Sequence, residues 1–322
     1  MLANTTGKTK FCAGISDISD SYSGFIIDEW GVLHDGLSIF DGVIECLTQL
    51  RDRQKQVIIL TNSGKRAHKD AERLATFGIT PDLYDHVITS GEITWQGLND
   101  QSDGYFKGIG KECILINRGG DRTIVEELDI EVVDDPKQAS FLIIAGTDAP
   151  HKTIEDYEPL LKQCARYNLK AICANPDNLG VMGNINVIGP GSLAARYKDF
   201  GGIVEYIGKP HNMIFQHCIR LLQEQDVFPG QTVVVGDAMG HDIIGGAMVN
   251  IDTCLVKRGL HKSVFKSCES PAEVDRMLDI LVRQYNNVHP NYLVEFFRWG
   301  RALPDRKHKK RGPKPKKSAE DL

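Results

Sequence analysis

The feature that most constrains this chain is a short apolar run that stops abruptly at a polar residue, and it occurs three times. The runs are residues 25–27, 57–60 and 232–235, and they are followed by Asp28, by Thr61, and by Gly236 and Asp237. A continuous apolar run of this length is typical of a strand that is buried on both faces of a parallel sheet. Ligands bind beyond the carboxyl ends of such strands. The pattern therefore predicts that Asp28, Thr61 and Asp237 lie at one site.

Stretches with helical spacing separate these runs. Residues 43–54 carry Val43, Leu47 and Leu50 on one helical face, and residues 67–77 are followed by Gly78, a common helix stop. The alternation predicts an α/β fold with a Rossmann-like, doubly wound parallel sheet. A length of 322 residues with 41% hydrophobic content is sufficient for one large domain or two ordinary ones.

A second α/β pattern occupies the middle of the chain. Its predicted strands are residues 113–116, 141–145 and 171–174, and its predicted helices are residues 122–128 and 154–167. Because this set lies between strands that the first sheet needs, it predicts a smaller inserted α/β cap domain. The expected division is a discontinuous core of 15–88 and 185–300, a cap of 89–184, and a basic, disordered tail of 301–322. Residues 271–284 and 292–299 are predicted as amphipathic helices that cover the core or a self-association surface.

Other features exclude several protein classes. No apolar run approaches the roughly 20 residues that span a bilayer, and the first residues lack the apolar stretch of a secretory signal. The eight cysteines show neither a C-x-x-C pair nor zinc-ligand spacing, so we predict reduced thiols. Together these observations predict a cytoplasmic protein with no membrane partner.

The charge distribution sets the tail apart from the rest. The net charge is −5, yet residues 306–317 hold eight of the 38 Lys and Arg residues, so the remaining body is distinctly acidic. An acidic surface does not attract nucleic acid. The tail is a candidate contact for RNA, an anionic membrane or a sorting receptor, or it serves only solubility. We predict no nucleic-acid partner except through this tail, and homodimerisation stays open.

Four segments in order carry a family resemblance. They are DEWGVLHDG at 28–36, ILTNSGKR at 59–66, IGKPH at 207–211 and VVVGDAMGHDIIGG at 233–246. Together they resemble the four motifs of the haloacid dehalogenase superfamily. The large insertion between the second and third motifs is similar to that of the class IIA capped subgroup of sugar-phosphate, pyridoxal-phosphate and nitrophenylphosphate phosphatases. The likeness covers about residues 22–260, with support from FLIIAGTDAPHKTIEDYEPL, ICANPDN and GPGSLAARYKDFGG.

This resemblance implies a phosphoric monoester hydrolase that uses Mg²⁺ and acts on a small phosphorylated metabolite. Asp28 would attack phosphorus and form an aspartyl phosphate that water then cleaves. The metal ligands would be Asp28, the backbone carbonyl of Trp30, and Asp237. Asp242 would hold the outer coordination shell or a water ligand.

The resemblance also assigns the groups that contact the phosphate. Thr61 would donate its hydroxyl and Asn62 its backbone N–H to the transferring oxygens, and Lys209 would neutralise charge on the phosphoryl group and on Asp28. In the cap, Asn175 and Asp177 are candidate substrate-binding residues, together with Asp148. The alternative for these cap residues is ordinary turn chemistry, as it is for each motif residue taken alone.

One position departs from the family pattern. Phosphatases of this superfamily carry a second aspartate two residues after the nucleophile, where this chain has Trp30, and an indole transfers no proton near neutral pH. Three explanations stay open. His34 or Glu29 does the proton work, or the leaving group is acidic enough to depart unaided, or the protein is a weak or inactive enzyme that binds a phosphorylated ligand in a regulatory role.

Overall fold

The computed structural model describes residues 8–102, 104–182 and 185–300. The strands are β1 (Lys10–Phe11), β2 (Gly24–Asp28), β3 (Gln56–Thr61), β4 (His86–Thr89), β5 (Glu112–Ile116), β6 (Glu131–Val132), β7 (Phe141–Ile144), β8 (Lys170–Cys173), β9 (Leu179–Met182), β10 (Ile185–Ile188), β11 (Ile203–Tyr206), β12 (Thr232–Gly236), β13 (Asp252–Val256) and β14 (Tyr292–Val294). The helices are α1 (Ser16–Ser19), α2 (Val43–Asp52), α3 (Ala67–Thr76), α4 (Ser90–Asp100), α5 (Ile154–Arg166), α6 (Pro190–Asp199), α7 (Asn212–Gln223), α8 (Ile244–Met248), α9 (Lys262–Phe265) and α10 (Pro271–Arg283).

The main sheet has seven parallel strands in the order β1-β14-β13-β12-β2-β3-β4. The order places β2 between β12 and β3. The three apolar runs of the sequence are therefore neighbouring strands, and their carboxyl ends share one edge. The predicted α/β class with a doubly wound parallel sheet is confirmed.

Apolar side chains cover both faces of this sheet. Along β2, Phe25 and Ile27 join a buried cluster that includes residues of α2 and α3, such as Leu47 and Leu74. The intervening Ile26 joins a second cluster on the opposite face, with α4 and α7. Successive side chains of a strand point to opposite faces, so a continuous apolar run is what a sheet between two helical layers requires.

A second parallel sheet forms the cap, in the order β11-β8-β7-β5-β6, and β9 and β10 form an antiparallel pair beside it. The expected cap boundary at residue 184 is wrong, because β11 pairs with β8 from Ile203 to Tyr206. Helix α6 also packs its Leu193 and Ala194 in the apolar cluster of the cap. The chain returns to the main sheet only after Tyr206.

Two local predictions are wrong. Residues 122–128 form a single 3-10 turn, Thr123–Val125, and the positive φ of Glu127 (64°) prevents a helix from continuing. Residues 292–299 begin with β14, which pairs in parallel with β13 and β1, rather than with a helix. The predicted helix at 271–284 is confirmed as α10.

The remaining predictions have mixed outcomes. All eight cysteines are free thiols, as predicted. The predicted basic tail, residues 301–322, lies outside the described residues. Among the helices of the described ranges, none combines the length and apolar composition that crossing a membrane requires.

The cap and the main sheet share one apolar cluster. It contains Ile26 and Ile58 of the main sheet together with Phe141 and Ile172 of the cap sheet, and α4 contributes Ile93 and Leu98. At the carboxyl edge itself, Asp177 of the cap accepts a hydrogen bond from Asn62, which directly follows β3.

Candidate active site

Three aspartates converge at the carboxyl edge of the main sheet. Asp28 is the last residue of β2, and Asp237 follows the last residue of β12. Asp242 lies on a π-helical turn, Met239–Ile243, that begins soon after Asp237. One carboxylate oxygen from each of the three lies within 4.8 Å of the others, and all three residues are buried. The predicted grouping of these carboxylates is therefore present in the structure.

Lys209 is inserted between two of these carboxylates. Its Nζ lies 2.5 Å from Asp28 Oδ1 and 2.8 Å from Asp242 Oδ1, and the side chain is 3% exposed. Lys209 follows β11, where the chain crosses from the cap sheet back to the core. The return crossing therefore delivers the ammonium group to the site.

The charges of this group do not balance. Three ionised carboxylates and one ammonium leave an excess of two negative charges in a buried space. Burial and the charge of Asp242 raise the pKa of Asp28, and the same two causes raise the pKa of Asp237 to about 7. Burial alone would lower the pKa of Lys209, but Asp242 and Asp28 raise it. A divalent cation would remove the excess charge.

The donor set suits a hard cation such as Mg²⁺, because it consists of carboxylate oxygens. Asp28 Oδ1 accepts hydrogen bonds from Glu29 N (2.8 Å) and Lys209, and Asp237 Oδ2 accepts one from Leu260 N (2.6 Å). The second carboxylate oxygens, Asp28 Oδ2 and Asp237 Oδ1, take no part in these hydrogen bonds. Asp242 differs, since Oδ1 accepts from Lys209 and Oδ2 accepts from Ala238 N (3.1 Å). This arrangement suits the outer role that we expect for Asp242.

The second motif lies beside the nucleophile position. Thr61 ends β3, next to β2, and its side chain is buried. The Asn62 side chain joins three segments: its Oδ1 accepts from Lys209 N (2.6 Å), and its Nδ2 donates to Lys209 O (3.2 Å) and Asp177 Oδ1 (2.8 Å). Asn62 thus fixes the Lys209 loop and connects it to the cap.

The Trp30 side chain packs on the turn that follows Asp28. Its ring is 38% exposed, packs edge-on against His34 at 4.9 Å, and lies under the guanidinium of Arg73 at 5.0 Å. Gly36 has a φ of +89°, and a Cβ added there would meet the ring at 2.4 Å. The turn therefore requires glycine both for its backbone conformation and for the indole that packs on it.

The two proposed substitutes for the missing acid are already paired. His34 Nδ1 accepts from Gly36 N (3.0 Å), so His34 donates from Nε2 to Glu29 Oε1 at 2.9 Å. The same Glu29 oxygen accepts from Arg73 Nη2 at 2.6 Å. Both side chains are fully buried. These contacts do not favour the first of the three open explanations, in which His34 or Glu29 does the proton work.

The cap residues separate into two kinds. Asn175 Oδ1 accepts from Asp177 N (3.0 Å), which is the turn chemistry considered as the alternative, and Asp148 pairs with Lys152 at 2.8 Å. Asp177 instead reaches the core, where it contacts Asn62 and lies 3.6 Å from His241 Nδ1. Sequence reasoning did not single out His241, although it directly precedes Asp242 in the fourth motif.

Geometry and fold together define a class: an α/β protein with an inserted cap, in which the carboxyl edge of a parallel sheet carries a group of three buried carboxylates. Two family models that describe haloacid dehalogenase-like hydrolases match residues 25–131 and 206–280. The chain belongs to the haloacid dehalogenase-like hydrolases.

Relatives in sequence agree with this assignment, and a solved structure shows the same fold. The chain is 29% identical to the 5'-nucleotidase YutF of Bacillus subtilis over 247 residues, which is 75% of this chain and 90% of the relative. It is 28% identical over 247 residues to the ribonucleotide monophosphatase NagD of Escherichia coli K12, covering 73% and 87% of the two chains. A haloacid dehalogenase-like hydrolase from Brucella suis superposes with a TM-score of 0.73 at 24% identity, covering 88% of this chain and 98% of that one.

Proposed function

We propose that this chain is a Mg²⁺-dependent phosphatase of small phosphorylated metabolites, and that it acts through an aspartyl phosphate on Asp28. The observation that carries the proposal is the buried group of Asp28, Asp237 and Asp242 around Lys209, with its excess of negative charge. Relatives named as 5'-nucleotidase, acid sugar phosphatase and ribonucleotide monophosphatase support sugar or nucleotide phosphates as the substrate class.

The first half of the reaction transfers the phosphoryl group to the protein. An oxygen of Asp28 forms a bond to phosphorus while the bond from phosphorus to the ester oxygen breaks, and the leaving oxygen takes the electron pair of that bond. Bound Mg²⁺, held by Asp28, Asp237 and the Trp30 carbonyl, would screen the repulsion between the carboxylate and the phosphate dianion. Lys209 already contacts Asp28 and orients its carboxylate.

The second half restores the carboxylate. Water attacks phosphorus of the aspartyl phosphate, the bond between phosphorus and the Asp28 oxygen breaks, and inorganic phosphate leaves. The Thr61 hydroxyl, the Asn62 backbone N–H and the Lys209 ammonium would stabilise the charge on the phosphoryl oxygens in both halves. The cap covers this edge of the sheet, and its Asp177 is our candidate for substrate contact.

Donation of a proton to the leaving group is the step for which this chain lacks the aspartate that the family pattern places at position 30. Trp30 transfers no proton, and its ring packs outside the carboxylate group. We propose that turnover is fastest for phosphates with acidic leaving groups, such as acyl and aryl phosphates. A protein that binds a phosphorylated ligand without turnover is the competing function, and the experiment below separates the two.

The test is a phosphatase screen over a panel of sugar, nucleotide, acyl and aryl phosphates, with Mg²⁺ and with a chelator. We expect Mg²⁺-dependent release of phosphate that Asp28→Asn abolishes, and a phosphorylated protein after rapid acid quench that the variant lacks. A matched control is Asp52→Asn, which changes an exposed carboxylate at the end of α2, shortly before β3 begins and therefore at the opposite end of the strands from Asp28. Equal rates for wild type and Asp28→Asn contradict the mechanism, and tight binding of a panel member without release supports the competing function.

A further inference from the structure

A buried polar network lies behind the nucleophile, and the mechanism above does not use it. It consists of Glu29, His34, Asp70 and Arg73, which we call the Glu29 network. Glu29 and His34 are fully buried, Asp70 is 1% exposed and Arg73 is 27% exposed. Arg73 Nη2 donates to both Glu29 Oε1, at 2.6 Å, and Asp70 Oδ1. One guanidinium nitrogen therefore holds two buried carboxylates.

Glu29 follows Asp28 in the chain, but its side chain lies on the opposite side of the sheet. Side chains alternate along an extended chain, so Asp28 reaches the catalytic edge while Glu29 reaches α3, which carries Asp70 and Arg73. Asp28 pairs with Lys209, and Glu29 pairs with Arg73. The backbone between the two carboxylates is thus fixed from both faces.

The network also fixes the turn that follows the nucleophile. Leu33 N donates to Glu29 O, and Gly31 N donates to His34 O, each at 2.9 Å. The Trp30 ring rests between the Arg73 guanidinium and the edge of His34. Arg73 therefore contacts this turn at two neighbouring residues, through the carboxylate of Glu29 and through the ring of Trp30.

The network also lies close to the second motif. Burial raises the pKa of Asp70, and Ser63, which lies two residues after Thr61, acts in the opposite direction. The Glu29 network thus contacts the turn that would supply a metal ligand and lies near the loop that would bind the phosphoryl group. Within the described residues, Glu29 Oε2, Asp70 Oδ2 and Arg73 Nε are buried without a hydrogen-bond partner, so the two carboxylates are joined only through Arg73 Nη2.

We infer that Arg73 is a positioning residue, which holds Glu29 and Trp30 so that the Trp30 carbonyl faces the cation. This inference rests on the proposed function, because it concerns the Mg²⁺ site. Groups that orient metal ligands typically contribute about 10–100-fold to metal affinity. No hydrogen bond or ion pair joins Arg73 to Asp28, Asp237 or Asp242 among the described residues, so its effect on the cation site would be transmitted through the backbone of the turn.

The experiment measures Mg²⁺ binding by isothermal titration calorimetry on the full-length chain. We expect Arg73→Met to weaken Mg²⁺ binding by at least about tenfold. Arg73→Lys should recover part of the affinity, because it keeps the charge but loses the planar contact with Trp30. The matched control is Arg51→Met, which removes an arginine whose Nη1 contacts both oxygens of Asp85 at 2.8 Å, remote from the catalytic edge.

The outcomes separate the inference from the function on which it rests. Weak binding in Arg73→Met with wild-type affinity in Arg51→Met supports the inference, and affinities within twofold of wild type for both variants overturn it. If Arg73→Met does not fold, as thermal melts would show, Arg73→Lys and Glu29→Gln decide by the same criterion. Mg²⁺ affinity that is absent in wild type refutes the proposed function and the inference together. Affinity present in wild type and unchanged in Arg73→Met refutes only the inference.

Discussion

Replacement of Trp30 by aspartate should restore the general acid that the family pattern places there. Acid–base catalysis is typically worth about 10²–10⁴ in rate, which corresponds to roughly 3–5 kcal/mol of activation free energy. The substitution removes the contact between the indole and Arg73, a loss of about 0.5–1 kcal/mol of stability at an exposed site. Because the new carboxylate lies close to Arg73, which competes for it, we expect the lower end of the range, about a 10²-fold gain.

The gain should depend on the leaving group. We expect kcat/KM for an alkyl phosphate such as glycerol phosphate to rise, while that for p-nitrophenyl phosphate stays within about threefold, since nitrophenolate departs without a proton. The matched control is Trp30→Asn, because asparagine is as large as aspartate and also removes the indole ring, but it transfers no proton. Equal gains for Trp30→Asp and Trp30→Asn, or an unchanged ratio between the two substrates, would refute the reasoning.

Three further predictions follow from the site. Lys209→Met should destabilise the protein by about 3–5 kcal/mol in urea unfolding without Mg²⁺, because it leaves Asp28 and Asp242 buried without their cation; a loss below 1 kcal/mol would contradict this. The metal-free Tm should fall from pH 6 to pH 8, because the folded-state pKa of Asp237, about 7, lies above that of an unfolded aspartate, so the stability present in acid is lost as pH rises through 7. Mg²⁺ should raise Tm more at pH 8 than at pH 6. Equal Mg²⁺ effects on Tm at both pH values would count against this. Asp177→Ala should raise KM more than it lowers kcat, because Asp177 contacts Asn62 rather than the carboxylates, and a pure kcat effect would exclude a binding role.

The local pattern of the sequence was sufficient to predict the catalytic edge. Continuous apolar runs are required of β2, β3 and β12, because each is covered on both faces, and the polar residue that ends each run marks the edge. The proximity of Asp28, Thr61 and Asp237 could thus be predicted before any contact was known, whereas Asp242 was added by the family resemblance. The roles assigned to these residues remain predictions for the experiments above.

Other elements depend on partners that are distant in the chain. Leu293, Val294 and Phe297 have a spacing that fits a helical face, but β13 and β1 offer β14 a strand position in the main sheet. Similarly, the pairing of β11 with β8 is set by the cap sheet and not by the composition around residue 184. Local periodicity contains no information about such partners.

The Glu29 network was also beyond prediction from sequence. Glu29 and Arg73 are 44 positions apart, and each is an ordinary charged residue in a linear reading. Their pairing becomes visible only when β2 and α3 are packed together. The same holds for Asp177 and His241, which meet across the border between cap and core.

The apolar cluster shared by the cap and the main sheet has a consequence for how the molecule unfolds and how it can be divided. Removing either sheet would expose part of this cluster to water, so we expect each part to be less stable alone than in the whole chain. Heating or denaturant should therefore melt both sheets in a single cooperative transition.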